Sequence, residues 1–95
     1  MKKEKNIIKK EIGTEYTERE NLLMELEYEF VKNFVKLRKD LDLTQQEMAD
    51  SAGVIRETIA RIENQITSPQ INTLIKILEP LGYTIKIEKL NKKKN

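Results

Sequence analysis

Apolar positions return at helical spacing through most of this chain, and at a spacing of two only near its end. From Glu18 the residues Leu22, Leu23, Leu26, Phe30, Phe34, Leu37 and Leu41 recur every three or four positions, behind a capping box of Thr17 with Glu20. One amphipathic helix is expected from Glu18 to about Asp40, roughly 35 Å long at 1.5 Å per residue. A second capping box, Thr44 with Glu47, opens a short helix at Gln45 with Met48, Ala49 and Ala52 on one face. Gly53 breaks that helix. Val54, Ile55, Ile59, Ile62 and Ile66 then carry the apolar pattern onward, predicting a helix from about Ile55 to Asn64 with Ile55, Ile59 and Ile62 inward. Ser68 and Pro69 read as N-cap and first position of a further helix, whose inward face is Ile71, Leu74, Ile75, Leu78 and Leu81 and which Pro80 and Gly82 cut short.

Beyond Gly82, Tyr83, Ile85 and Ile87 alternate with Thr84, Lys86 and Glu88, the pattern of a strand. One strand cannot pair with itself, so Tyr83 to Lys89 is expected to find its partner outside its own domain. The partner is the same strand of a second copy across a two-fold axis, the weak Ile7 to Ile12 patch, or the sheet edge of another protein. The expected organisation is a flexible basic segment over 1–16, a helical domain with a long first helix over 17–82, and an interface strand with a lysine tail over 83–95.

A chain of 95 residues buries a small core and is marginal without a partner. It has no cysteine and no histidine, which removes disulfides, zinc fingers and most nucleophile-and-base pairs; no metal or cofactor is expected, and the composition fits a cytoplasmic protein. Charges interrupt Leu22 to Leu41 throughout, so no membrane span is expected, and MKKEKNIIKKEIG is too charged for a signal peptide. The net charge of +2 is unevenly placed. Residues 1–13 carry five Lys against two Glu, residues 14–30 six Glu against Arg19, residues 31–67 six of each sign, and residues 68–95 six Lys against two Glu. Two basic ends around an acidic segment imply two partners of opposite charge, although any single run also reads as solvated surface.

Two short helices joined by a tight turn, with the small Ala49 where their axes approach, form the helix-turn-helix plan, whose second helix enters the DNA major groove. Outward on that second helix stand Arg56, Glu57, Ala60 and Arg61. Arginine can hold guanine O6 and N7 bidentately, so Arg56 and Arg61 are the candidates for base readout. Glu57 has two readings: it accepts from cytosine N4, or it holds the Arg61 guanidinium four residues on.

The motifs L-T-Q-x-E-x-A, A-G-V, T-I-x-R-I-E-N and S-P-x-x-x-T-L-x-K-I-L-x-x-L-G, spread from about Phe34 to Gly82, resemble the Cro/C1-type (XRE) helix-turn-helix of phage repressors and bacterial regulators. The run SPQINTLIKILEPLGYTIKI most resembles HigA-type antitoxins. The resemblance implies an all-α, lambda-repressor-like bundle, here with an extended N-terminal helix and a short C-terminal β-strand that pairs between subunits. It also implies phosphate contacts from Gln45, Gln46, Thr58 and Asn64, and a structural ion pair between Arg38 and Glu63. Two departures from the family stand out. Ile55 occupies the place where a capping Ser or Thr is common, and Asn64, Gln65, Ile66 and Thr67 replace an Asn-Gly turn followed by Lys or Arg.

Three functions compete. The first is an antitoxin and autorepressor: a homodimer on an inverted-repeat operator that neutralises a small basic RelE/HigB-like ribonuclease toxin. Its dimer or partner surfaces would be Leu22, Leu23 and Leu26 on the acidic helix, and Tyr83, Ile85 and Ile87 on the strand. The second is a stand-alone phage-type or bacterial regulator without a toxin. The third is a helical interaction module that no longer binds DNA. Catalysis is not expected, because no paired carboxylates stand apart from helix surface and no glycine-rich phosphate loop is present.

Overall fold

A computed structural model describes residues 16–90. The Ile7 to Ile12 patch and the terminal lysines lie outside them. The described elements are α1 (Glu18–Asp40), α2 (Gln45–Ala52), α3 (Arg56–Glu63), α4 (Ile71–Leu78) and a 3₁₀ turn (Glu79–Leu81). The chain divides into two compact units, residues 1–30 and 31–95.

In the first unit the capping box closes as the sequence predicts. The Thr17 amide donates to Glu20 Oε1 at 2.9 Å, and the Glu20 amide donates to Thr17 Oγ1 at 3.1 Å. Along this part of α1, Leu22, Leu23 and Tyr28 are exposed while Met24 and Leu26 are half-buried.

In the second unit α2 packs against α3, α4 and the 3₁₀ turn. The core is Val31, Phe34, Met48, Ala49, Ala52, Ile59, Ile62, Ile77 and Leu78. Burying side chains the size of Met48, Ile59, Ile62 and Ile77 stabilises by about 1.5–3 kcal/mol each. Thr44 and Glu47 form the second reciprocal capping box at 2.9 and 3.0 Å. Four turns close with one residue in the left-handed region: Asp42 (φ 59°), Gly53 (φ 73°), Gln65 (φ 56°) and Gly82 (φ 87°). In each, the next residue's amide reaches back to a helical carbonyl: Leu43 to Arg38, Val54 to Ala49, Ile66 to Arg61 and Tyr83 to Leu78, at 2.9–3.0 Å. These bonds satisfy carbonyls that helix ends leave without partners.

Four expectations are corrected. The last helix starts at Ile71 behind Gln70, whose ψ of 154° is extended and whose side chain makes no cap bond, so Ser68 and Pro69 do not open it. The half-buried Pro69 instead lies in the approach to the helix. Its core stripe is Leu74, Ile77, Leu78 and Leu81; Ile71 (66% exposed) and Ile75 (40%) fall off it, because packing against α2 selects which of the apolar faces turns inward. Ile55 precedes α3 as its N-cap, and both it and Ile66 are 65% exposed rather than inward. Finally, no strand forms among the described residues: Tyr83 to Leu90 has no regular structure, Ile85 is half-buried and Ile87 is fully exposed. A ladder needs a second row of backbone groups, and the described residues of one copy supply none.

Candidate DNA-binding surface

Helix α3 is amphipathic over eight residues, with Ile59 and Ile62 buried beneath it. No side chain caps it. The Thr58 amide donates to the Ile55 carbonyl at 2.9 Å, so a tight backbone turn replaces the missing Ser or Thr. At its far end Gln65 takes the left-handed conformation that an Asn-Gly turn gives to glycine.

Beneath α3 lies a bidentate ion pair from α1. Arg38 Nε and Nη2 donate to Glu63 Oε2 and Oε1 at 2.6 and 3.0 Å, and Nη1 donates to the Leu43 carbonyl at 2.9 Å. Both side chains are nearly buried, at 11% and 8% exposure. Burial alone would raise the Glu63 carboxyl. Hydrogen bonds from Arg38 and Gln45, with the charges of Arg38 and Lys39, outweigh it and hold that carboxyl below its ordinary value. The bond to Glu63 likewise raises Arg38 despite its partial burial.

Gln45 joins this pair to the surface. Its Nε2 donates to Glu63 Oε1 at 2.9 Å, and its Oε1 accepts from Arg56 Nη1 at 2.8 Å. Arg56 is exposed, yet its guanidinium is tethered through Gln45 to the buried pair. Nothing local in the sequence marks this chain, which joins residues 11, 18 and 25 positions apart. The Leu43 carbonyl and the Gln45 linkage were therefore missed, and a phosphate contact was the one role foreseen for Gln45.

The other expected residues divide between the surface and local bonds. Glu57 and Arg61 are exposed and approach to 4.0 Å. Ala60 and Thr58 are half-buried on the flanks of α3, and Asn64 is exposed at its C-cap. Gln46 Nε2 donates to Asp50 Oδ1 at 2.8 Å along α2. The structure thus gathers Gln45, Arg56, Glu63 and Arg38 into one hydrogen-bonded chain, while Gln46 bonds within its own helix. No group of acidic residues that could hold a metal ion occurs among the described residues, and no described helix is long and apolar enough to cross a membrane.

A family model described as HTH_3, helix-turn-helix, matches residues 35–87. An "uncharacterized HTH-type transcriptional regulator" from Haemophilus influenzae is 40% identical over 63 residues, which cover 66% of this chain and 64% of that protein. A solved structure described as a toxin-antitoxin module from Streptococcus pneumoniae matches with a TM-score of 0.63 at 26% identity, covering 87% of this chain and 91% of that one.

Proposed function

The chain belongs to the Cro/C1-type helix-turn-helix family of DNA-binding transcriptional regulators, and from that premise we propose that it is the antitoxin of a type II toxin-antitoxin pair. In this reading it is a cytoplasmic homodimer that neutralises a small basic RelE/HigB-like ribonuclease and represses its own operon. One observation carries the proposal. The likeness to the toxin-antitoxin structure takes in 87% of the chain, whereas the family model spans residues 35–87, so the likeness reaches past the DNA-binding unit.

The chemistry of the first unit agrees. Residues 14–30 hold six Glu against Arg19, and Leu22 and Leu23 are exposed among them. A basic RNA-binding protein complements such a surface in charge, and the leucines supply apolar contact. On the DNA side, two copies of α3 about 34 Å apart would read an inverted repeat. Arg56, Glu57, Ala60 and Arg61 would face base edges, and Gln45, Gln46, Thr58 and Asn64 would meet phosphates. Tyr83, Ile85 and Ile87 would gain their missing partner from the second copy.

The test is purification from the native host together with the product of the neighbouring gene. A small basic protein should accompany the chain in stoichiometric amount, arrest growth when expressed alone, and be released by Leu22→Glu with Leu23→Glu. Absence of any such companion sinks the antitoxin reading. It would leave a stand-alone regulator, the reading favoured by the Haemophilus influenzae relative, which is described as a transcriptional regulator alone.

A further inference from the structure

We propose that Glu57 is the residue that sets DNA specificity, and that each half-site carries a cytosine read by its carboxylate with a guanine within one base pair read by Arg61. This rests on α3 being the element that enters the groove. The phase of α3 carries the argument. At about 100° per residue, Glu57 lies roughly 160° round the axis from Ile59 and 140° from Ile62, the two residues buried beneath the helix. By the same count, Arg56 lies about 60° from Ile59 and Arg61 about 100° from Ile62. Glu57 therefore stands nearest the centre of the outward face, and Arg56 stands toward the edge, where Gln45 holds it at 2.8 Å.

A carboxylate at that position meets a groove walled by phosphates, and only a strong donor there offsets the repulsion. The major groove offers two donors, cytosine N4 and adenine N6, and adenine sets its N7 lone pair beside N6. Cytosine is thus the base that receives a carboxylate without a penalty. Arg61 reaches to 4.0 Å of Glu57, too long for a strong hydrogen bond, and both side chains are more than half exposed. Each keeps hydrogen-bonding capacity for a base, and the arginine offsets the charge that the glutamate brings to the duplex. Guanine O6 and N7, found on the partner of cytosine or on its neighbour, accept what Arg61 donates.

The experiment is selection by the purified full-length chain from a library of DNA duplexes with a randomised core, repeated with Glu57→Gln and Glu57→Ala. Glu57 is exposed, so thermal unfolding of the variants should match the parent. The parent should select a fixed cytosine in each half-site, and changing it to thymine or adenine should weaken binding on the order of 10- to 100-fold. Glu57→Gln should move the preference at that one position to adenine, whose N6 and N7 suit an amide, and Glu57→Ala should lose preference there alone. The inference is overturned if both variants keep the parent's consensus at every position, or if Glu57→Ala binds all sequences more tightly. A parent that selects no consensus at all overturns the operator-reading proposal itself, which separates the two failures.

Discussion

Gln65 holds a φ of 56°, a conformation that costs a residue with a β-carbon about 1–2 kcal/mol. Asp42 shares the geometry at 59°, but Asp tolerates it better through local hydrogen bonding. Gln65→Gly should therefore stabilise the chain by about 1 kcal/mol, raising the melting temperature by roughly 4–8 °C. A lower melting temperature would mean that the glutamine side chain contributes more than its backbone loses. Glu63 makes a second prediction at this scale. Its folded carboxyl lies below its ordinary value, so the stability it contributes is fully present above the ordinary glutamate pKa of about 4.3 and disappears as pH falls through the lower folded value. Urea midpoints of the parent should drop across that acid window, whereas those of Glu63→Gln should change less there. Parallel profiles would show that other carboxylates carry the acid sensitivity.

At the level of elements, α4 shows a helix with more than one apolar face, of which packing buries one. Five of the eight residues INTLIKIL are apolar and spread round the axis, so periodicity alone leaves the buried stripe open. With the first turn at Ile71, Ile77 is completely buried and Ile71 is two-thirds exposed. Ile77→Ala should cost about 2–5 kcal/mol through the cavity it leaves, and Ile71→Ala should stay within about 0.5 kcal/mol. Chemical unfolding of the two variants distinguishes this stripe from the one expected from the apolar spacing, which predicts a large loss at Ile71. The caps of α1 and α2 were legible because Thr and Glu at a spacing of three satisfy end amides locally. The start of α4 was not, since no side-chain bond at Gln70 caps it.

For the molecule as a whole, DNA affinity has a phosphate part and a base part. The expected phosphate contacts, Gln45, Gln46, Thr58 and Asn64, are all uncharged, and the turn after α3, with Gln65, Ile66 and Thr67, carries no basic residue. Few counterions are released, so binding should fall gently with salt. Ile66 is 65% exposed, and Ile66→Lys should steepen the plot of log K against log salt by about one unit while tightening binding to every sequence alike. An unchanged slope would place that turn away from the backbone.

Helix order, the two capping boxes, the Gly53 turn and the exposure of Arg56, Glu57 and Arg61 on α3 could be read from the chain, because each follows from periodicity or from contacts within four residues; Ala60, expected outward with them, is half-buried. The resemblance added the Arg38 and Glu63 pairing, whose partners sit 25 positions apart. What local pattern left open was settled by packing. Gln45 links Glu63 to Arg56, Ile77 displaces Ile71 from the core, and Gln65 closes a turn that glycine usually closes. The first two depend on where a distant backbone comes to rest. The alternation from Tyr83 to Lys89 shows the converse: it records a preference for a strand, and a preference becomes a strand only when a second edge is present to accept its hydrogen bonds.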